Sequence, residues 1–334
     1  MKNVTISDIA EKAGVSKATV SRVLNTPEKV EAETREKIRR IMKEEHYTPS
    51  AMARNLSKRV SSTIGVIVPE INNPFFGELF QGIEEVINKN NLLLLYCSNE
   101  DKANKDFQAL DMMRTQRVRG VLYVPAVNYQ AIGMMKKLQK ELDSLGCPVV
   151  CIDRDIGLHL DTVHFNDAKA IKQAVLSLAE IGHKKIAIIN GNVEENVLAG
   201  ERYEGYLAGM KEAGLKVDMD MVYQGFFKQS YAYLITREIM MKSEQPTAVI
   251  TCNNSLGNGY FQAIYEARKL NLYTNVNLDR LKMLNTLGIP HNYIRRDSYE
   301  MGKKAAEMLI SRIAFPEKAS QNIVMDSSLI RETY

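Results

Sequence analysis

The sequence is short of most features that mark an enzyme, an exported protein or a metalloprotein. It holds four cysteines, Cys97, Cys147, Cys151 and Cys252. None forms a C-x-x-C pair, and each sits in or beside an apolar, strand-like run. They read as reduced, buried side chains rather than metal or redox groups. The five histidines, His46, His159, His164, His183 and His291, show no zinc-ligand spacing, so no metal is expected. No apolar run reaches the roughly 18 residues of a membrane helix. Met1-Lys2-Asn3 leads straight into helix signals without an apolar secretory segment, so a cytoplasmic, membrane-free protein is expected. A G-x-S-x-G elbow, a Walker loop, H-E-x-x-H and G-x-G-x-x-G are all missing. Gly257-Asn258-Gly259 is a fragment common by chance. The expectation is a chain that is not an enzyme and carries no cofactor.

What remains is ordinary globular composition, 45% hydrophobic and 25% charged, in 334 residues, enough for two or three domains. The charge is uneven. Residues 1–60 carry 13 Lys/Arg against 8 Asp/Glu, while the rest of the chain is close to neutral. A basic head on a neutral body suits an arm that meets phosphates and a body that meets something else.

The head has a readable plan. Thr5 can cap a short helix whose Ile6, Ile9, Ala10 and Ala13 share a face. Gly14 supplies a positive φ for a sharp turn that Val15 pins to the core. Ser16 caps a second helix that buries Val20 and Val23 or Leu24 and exposes Lys17, Ala18, Ser21, Arg22 and Asn25. That is a helix-turn-helix with a polar, short-side-chain face of the kind a major groove accepts. Residues 31–45 predict a third helix, packed through Ile38, Ile41 and Met42. From Ser62 onward short apolar runs alternate with helical segments of about a dozen residues. Strands are expected at Thr63–Val68, Leu92–Cys97, Gly120–Val124, Val149–Asp153, Lys185–Asn190, Met221–Gly225, Ala248–Cys252 and Leu281–Asn285. This order predicts parallel sheets covered by helices on both faces.

The run Val4 to Asn25 meets the signature T-x-x-D-[IV]-A-x-x-A-x-V-S-x-x-T-V-S-R-V-x-N almost position for position, and it resembles the lactose-repressor (LacI/GalR) group of bacterial transcription regulators. Weaker matches follow in the expected order. They are Gly65–Pro69, Asn72–Phe76, Gly182–Ala187, Pro246–Val249 and Tyr299–Gly302. The resemblance implies an all-α head over residues 1–46 and a hinge segment over 47–61. It also implies a two-lobed, periplasmic-binding-protein-like α/β body. One lobe would comprise residues 62–158 and 290–318, the other 162–286 and 321–334. It implies a homodimer on a pseudo-palindromic double-stranded operator. Lys17, Ala18 and Arg22 would choose bases, and Thr5, Ser16, Thr19, Ser21 and Asn25 would touch phosphates or bases. Ala53 and Leu56 would lie on a hinge helix that orders on DNA, with Leu56 wedged into a base step.

In such a body a small-molecule effector would sit between the lobes, touching Asn73, Phe75, Asp153, Asn166, Arg202, Phe227, Asn254 and Asn285. Phe165-Asn166 stands where the family commonly has Asp-Asn, Asn253-Asn254 where it has Asn-Asp, and Gly225-Phe226-Phe227 where it has Gly-Asp-Phe. Leu284-Asn285-Thr286-Leu287 takes the place of Gly-[FY]-Asp-[DN]. These departures predict a cleft short of carboxylates that favours an anionic or aromatic sugar derivative. The function implied is a repressor of a catabolic operon. The alternative is a global, catabolite-control-type regulator whose body binds a corepressor protein.

Overall fold

The computed structural model describes residues 4–47 and 61–332. Ala53 and Leu56 lie outside the described residues. The chain divides into two compact units, residues 1–62 and 63–334.

The first unit is three helices, α1 (Ile6–Ala13), α2 (Lys17–Asn25) and α3 (Ala32–Glu44). Thr5 closes a capping box with Asp8, and Gly14 ends α1 in the left-handed region at φ 67°. Ser16 accepts the backbone N–H of Thr19 and starts α2. Ile9, Ala10, Ala13, Val20, Val23, Ile38 and Met42 form the small core.

The second unit holds two six-stranded sheets. The first sheet uses β1 (Thr63–Val68), β2 (Leu93–Ser98), β3 (Gly120–Tyr123), β4 (Val149–Ile152), β5 (Asp161–Phe165) and β11 (Asn322–Met325), in the order β11-β5-β4-β3-β1-β2. Its pairings are all parallel. The second uses β6 (Ile186–Asn190), β7 (Val222–Gln224), β8 (Ala248–Thr251), β9 (Thr274–Leu278), β10 (Asn292–Arg295) and β12 (Ser328–Ile330), in the order β12-β10-β9-β8-β6-β7. Only β12 runs antiparallel to its neighbour. Helices α4 (Pro74–Lys89), α5 (Ala103–Thr115), α6 (Met135–Ser144) and α12 (Ser298–Ala314) belong to the first lobe. The second lobe has α7 (Asp167–Glu180), α8 (Val197–Glu212), α9 (Gln229–Ile239), α10 (Asn254–Glu266) and the short α11 (Lys282–Thr286). Among the described residues no helix is long and apolar enough to cross a membrane.

The crossing of α4 and α12 shows how sequence sets packing. A Cβ on Gly82 would stand 2.0 Å from the Tyr299 carbonyl oxygen, and one on Gly302 2.0 Å from that of Leu79. The two glycines let the backbones touch, which holds α12 in the first lobe although its sequence lies near the end of the chain.

Several expected boundaries are corrected. Residues 161–165 pair with β4, so they belong to the first lobe and the chain crosses at Asn166. Residues 292–295 pair with β9 in the second lobe, and the return crossing falls at Arg296–Asp297. Residues 322–325 pair with β5, which places the last crossing at 326–327. Backbone pairing, rather than apolar content, decides lobe membership; β5 is too polar, and β11 too short, to announce itself. The strand expected at Leu281–Asn285 is helix α11. The true strand, β9, hides two asparagines in its core: Asn275 Nδ2 donates to the Val249 carbonyl (2.9 Å) and Asn277 Oδ1 accepts from Thr251 Oγ1 (2.6 Å). These bonds lower the cost of burying them, although Asn275 Oδ1 accepts none.

Candidate functional site

Two surfaces carry chemistry. On the first unit, α2 presents Ser16, Lys17, Ala18 and Arg22 as exposed side chains, with Thr19, Ser21 and Asn25 half-buried beside them. Ser16 and Thr19 are engaged locally, their hydroxyls 2.9 Å apart at the helix start. Asn25 Nδ2 donates to the Ser21 carbonyl at 3.0 Å, which leaves its buried Oδ1 without a partner. Thr5 is held by Asp8 at the start of α1. The exposed part of α2 is thus small, polar and cationic, with backbone N–H groups at its N-terminus available to an anion.

The second surface is a cleft of about 390 Å³ between the lobes, lined from the carboxyl ends of both sheets. In each sheet the strand order reverses at the first strand of the lobe, beside β1 and beside β6, the place where open α/β sheets form a crevice. Six residues on its wall hold a positive φ although none is glycine: Glu100, Asp101, Asp153, Phe226, Phe227 and Asp279. Such backbone persists only where surrounding structure enforces it, and it gathers at ligand sites.

The floor of the cleft is a buried ionic network. Arg296, from the second crossing, donates through Nε and Nη2 to both oxygens of Asp279 (2.9 and 2.6 Å). Its Nη1 reaches Asp167 (3.2 Å) and stands 3.7 Å from Asp153 Oδ1. Arg202 reaches Asp167 Oδ2 through Nε (2.7 Å) and Nη2 (2.6 Å), and the Cys252 carbonyl through Nη1 (2.8 Å). Arg154 spans the Pro125 and Ala126 carbonyls and Asp101. Phe75 lies under the Arg296 guanidinium at 4.5 Å and Phe227 under that of Arg202 at 5.3 Å.

The carboxylates in this network differ in their acidity. Burial pushes Asp167 upward, but Arg296 and Arg202 outweigh it and hold the carboxyl below its ordinary value. Asp153 is raised, burial outweighing the more distant Arg296. Glu201, beside Arg202 on α8, is pushed up to about 7, first by burial and then by the Asp167 charge. Its ordinary value is 4.5. Between those pH values the folded chain keeps a proton that the unfolded chain releases, so this group weakens the body as pH rises from about 4.5 to 7 and adds nothing further above that. Glu201→Gln is expected to flatten the fall in melting temperature across that window. Parallel melting curves of variant and wild type check it.

The structure brings Asn73, Phe75, Asp153, Arg202 and Phe227 to the cleft wall. Asn254 is buried at the seam between lobes, its Nδ2 3.5 Å from Asn73 Oδ1. Asn166 is not in the cleft. It is exposed and caps α7, accepting the Lys169 N–H. Asn285 is not there either: it accepts from Arg280 Nε on α11. The expected shortage of carboxylates is also corrected, since Asp167 directly follows Asn166 and Asp279 stands five residues before Leu284. Phe165, where an Asp was looked for, lies 5.5 Å from the Arg296 guanidinium. Arg154, Asp167, Asp279 and Arg296 were missed by sequence reasoning. The one signal within reach was at Arg154, which directly follows the expected strand Val149–Asp153.

Two family profiles match the chain: "Bacterial regulatory proteins, lacI family" over residues 5–50, and "Periplasmic binding proteins and sugar binding domain of LacI family" over residues 61–333. A ribose operon repressor of Haemophilus influenzae is 31% identical over 331 residues, covering 98% of this chain and 97% of that protein. The HTH-type transcriptional repressor PurR of Pasteurella multocida is 31% identical over 330 residues, covering 96% of this chain and 95% of that protein. A crystal structure of the lac repressor dimer, bound to operator and the anti-inducer ONPF, superposes with a TM-score of 0.84 at 23% identity, covering 99% of this chain and 98% of that one. The alternative of a body that takes a corepressor protein is not favoured by these relatives.

Proposed function

The chain belongs to the LacI family of DNA-binding bacterial repressors, built from a helix-turn-helix head and an effector-binding body, and on that footing we propose that its effector is a small, neutral, single-ring polyhydroxyl compound of the pentose class. One observation carries the reading. The cleft's arginines are already neutralised by Asp101, Asp167 and Asp279, whereas Asp153 Oδ1, 3.7 Å from Arg296, and Asn254 Oδ1 at the seam are buried acceptors that receive no hydrogen bond. Five acidic and five basic side chains line the cavity, so nothing in it calls for an anion. A ligand entering as the lobes part would meet acceptors in want of donors, and leaving those acceptors unmet costs about 1–3 kcal/mol each. Hydroxyls supply such donors. The apolar CH face of a sugar ring suits the aromatic wall that Phe75 and Phe227 give the cleft.

The premise for an anionic or aromatic ligand, missing carboxylates, does not survive Asp167 and Asp279. The name of the Haemophilus relative favours ribose, and that of the Pasteurella relative keeps a purine base as the competitor. On this reading the protein binds a near-palindromic operator as a homodimer. Effector binding shifts the lobes between two arrangements that differ in operator affinity. Calorimetry with D-ribose, ribose 5-phosphate and hypoxanthine decides the class. Ribose is expected to bind and to lose affinity in Asp153→Asn. Binding of hypoxanthine or the phosphate ester, but not ribose, overturns the proposal.

A further inference from the structure

We propose that Glu78 is a positioning residue that fixes one lobe against the other and so sets how strongly the cleft closes on its ligand, without touching that ligand. The ligand arm of its test rests on the effector reading above.

Glu78 lies on α4 in the first lobe, one turn after Phe75. Its Oε1 takes the ammonium of Lys282 at 2.6 Å, and Lys282 begins α11 in the second lobe. Its Oε2 accepts from the Ser298 hydroxyl at 2.7 Å. Ser298 is 1% exposed and its backbone N–H donates to the carbonyl of Arg296. One carboxylate therefore ties three things together: the helix that carries Phe75 to the cleft, a helix of the opposite lobe, and the crossing segment that carries Arg296. Arg296 in turn grips Asp167 and Asp279 beneath the cleft and faces Asp153 from the other lobe. Among the described residues, other polar links between lobes include Asn73 with Asn254 at 3.5 Å and the Asn128 N–H with the Glu195 carbonyl at 2.7 Å. Of these links, only Glu78 also holds a crossing segment.

The pair with Lys282 is partly exposed, the side chains being 35% and 65% accessible. By itself it is a weak contact, while the Ser298 bond is enclosed and its loss is felt more. Glu78→Gln keeps an acceptor for Ser298 and loses the ion pair. Glu78→Ala loses both.

The test has two arms. The first needs no ligand: hydrogen exchange of the full-length protein. In Glu78→Ala, amides of residues 282–288 and 296–300 are expected to exchange faster while residues 79–87 keep their protection, a pattern that general destabilisation does not give. The second arm is D-ribose calorimetry. The dissociation constant is expected to rise by about threefold in Glu78→Gln, in line with a partly exposed ion pair, and further in Glu78→Ala. The charge-swapped pair Glu78→Lys with Lys282→Glu is expected to recover the ion-pair share of the loss and not the Ser298 share. Unchanged exchange at 282–288 and 296–300 in Glu78→Ala overturns the proposal. So does a charge-swapped pair no better than Glu78→Lys alone. Failure of ribose to bind the wild type overturns the effector class instead and leaves the exchange result to judge Glu78.

Discussion

Arg22→Ala is expected to reduce operator binding to the level of binding to unrelated DNA. The side chain is exposed on α2, and it makes no ion pair among the described residues, so its fork of donors is uncommitted. A guanidinium that forks onto a guanine edge is worth about 1–3 kcal/mol of discrimination. In a two-fold complex the loss counts twice, against a total margin of about 4–10 kcal/mol between specific and non-specific binding. Ala18 beside it offers only a methyl contact, so little else on the helix can compensate. The head should fold as before, because its core of Ile9, Val20, Val23 and Ile38 does not include Arg22. Gel shifts on operator and scrambled duplexes, with circular dichroism of the same samples, check this. Operator affinity unchanged in a folded Arg22→Ala protein shows the assignment is wrong.

Arg296→Ala is expected to unfold the body at markedly lower temperature and to abolish effector binding. The substitution leaves Asp167 and Asp279, both more than nine-tenths buried, without their shared cation, and Asp153 without its nearest one. Removing one partner of a buried pair costs about 3–5 kcal/mol, a large part of the 5–15 kcal/mol that typically holds a protein folded. At about 2–4 °C per kcal/mol for a unit of this size, the melting temperature should fall on the order of 10 °C. The pH dependence tells this mechanism from simple loss of packing. Burial already raises Asp153 above its ordinary value against the opposing pull of Arg296, and without the arginine it rises further, so stability lost near neutrality returns as pH falls through the raised value. Arg296→Ala should therefore lie closer to wild type at pH about 5 than at pH about 8, and adding Asp279→Asn should recover part of the loss. A deficit that does not change with pH counts against the ionic account.

The two ends of the chain were unequally legible. The head could be read from Thr5, Gly14 and Ser16 because caps and left-handed turns are local: each choice is made within four residues and needs no distant partner. The strands Thr63–Val68 and Ile186–Asn190 were equally plain, since a strand buried on both faces must be apolar along its length. Strand β9 was not, because Asn275 and Asn277 are admitted to the core by partners on β8, some 24 to 26 residues away in sequence. The lobe boundaries failed for the same reason: a crossing has no composition of its own, and only pairing shows which sheet a segment has joined.

From sequence alone came the family, the division into head and body, the alternating α/β architecture, and the exposed polar face of α2, all of which rest on local periodicity, capping chemistry and a motif. Only the tertiary structure decided the character of the cleft. Asp153, Asp167, Asp279, Arg154, Arg202 and Arg296 come from strand ends, a crossing and the helices α7 and α8, scattered over 144 positions, from Asp153 to Arg296. Taken singly, each reads as a surface charge or a helix cap. Enclosed together at a few ångströms they become a neutral, mutually paired floor, because a charge taken out of water is stable only beside an opposite one. That requirement for proximity in space is invisible in sequence, and it supplied the carboxylates that the departures from the family pattern had led one to expect missing.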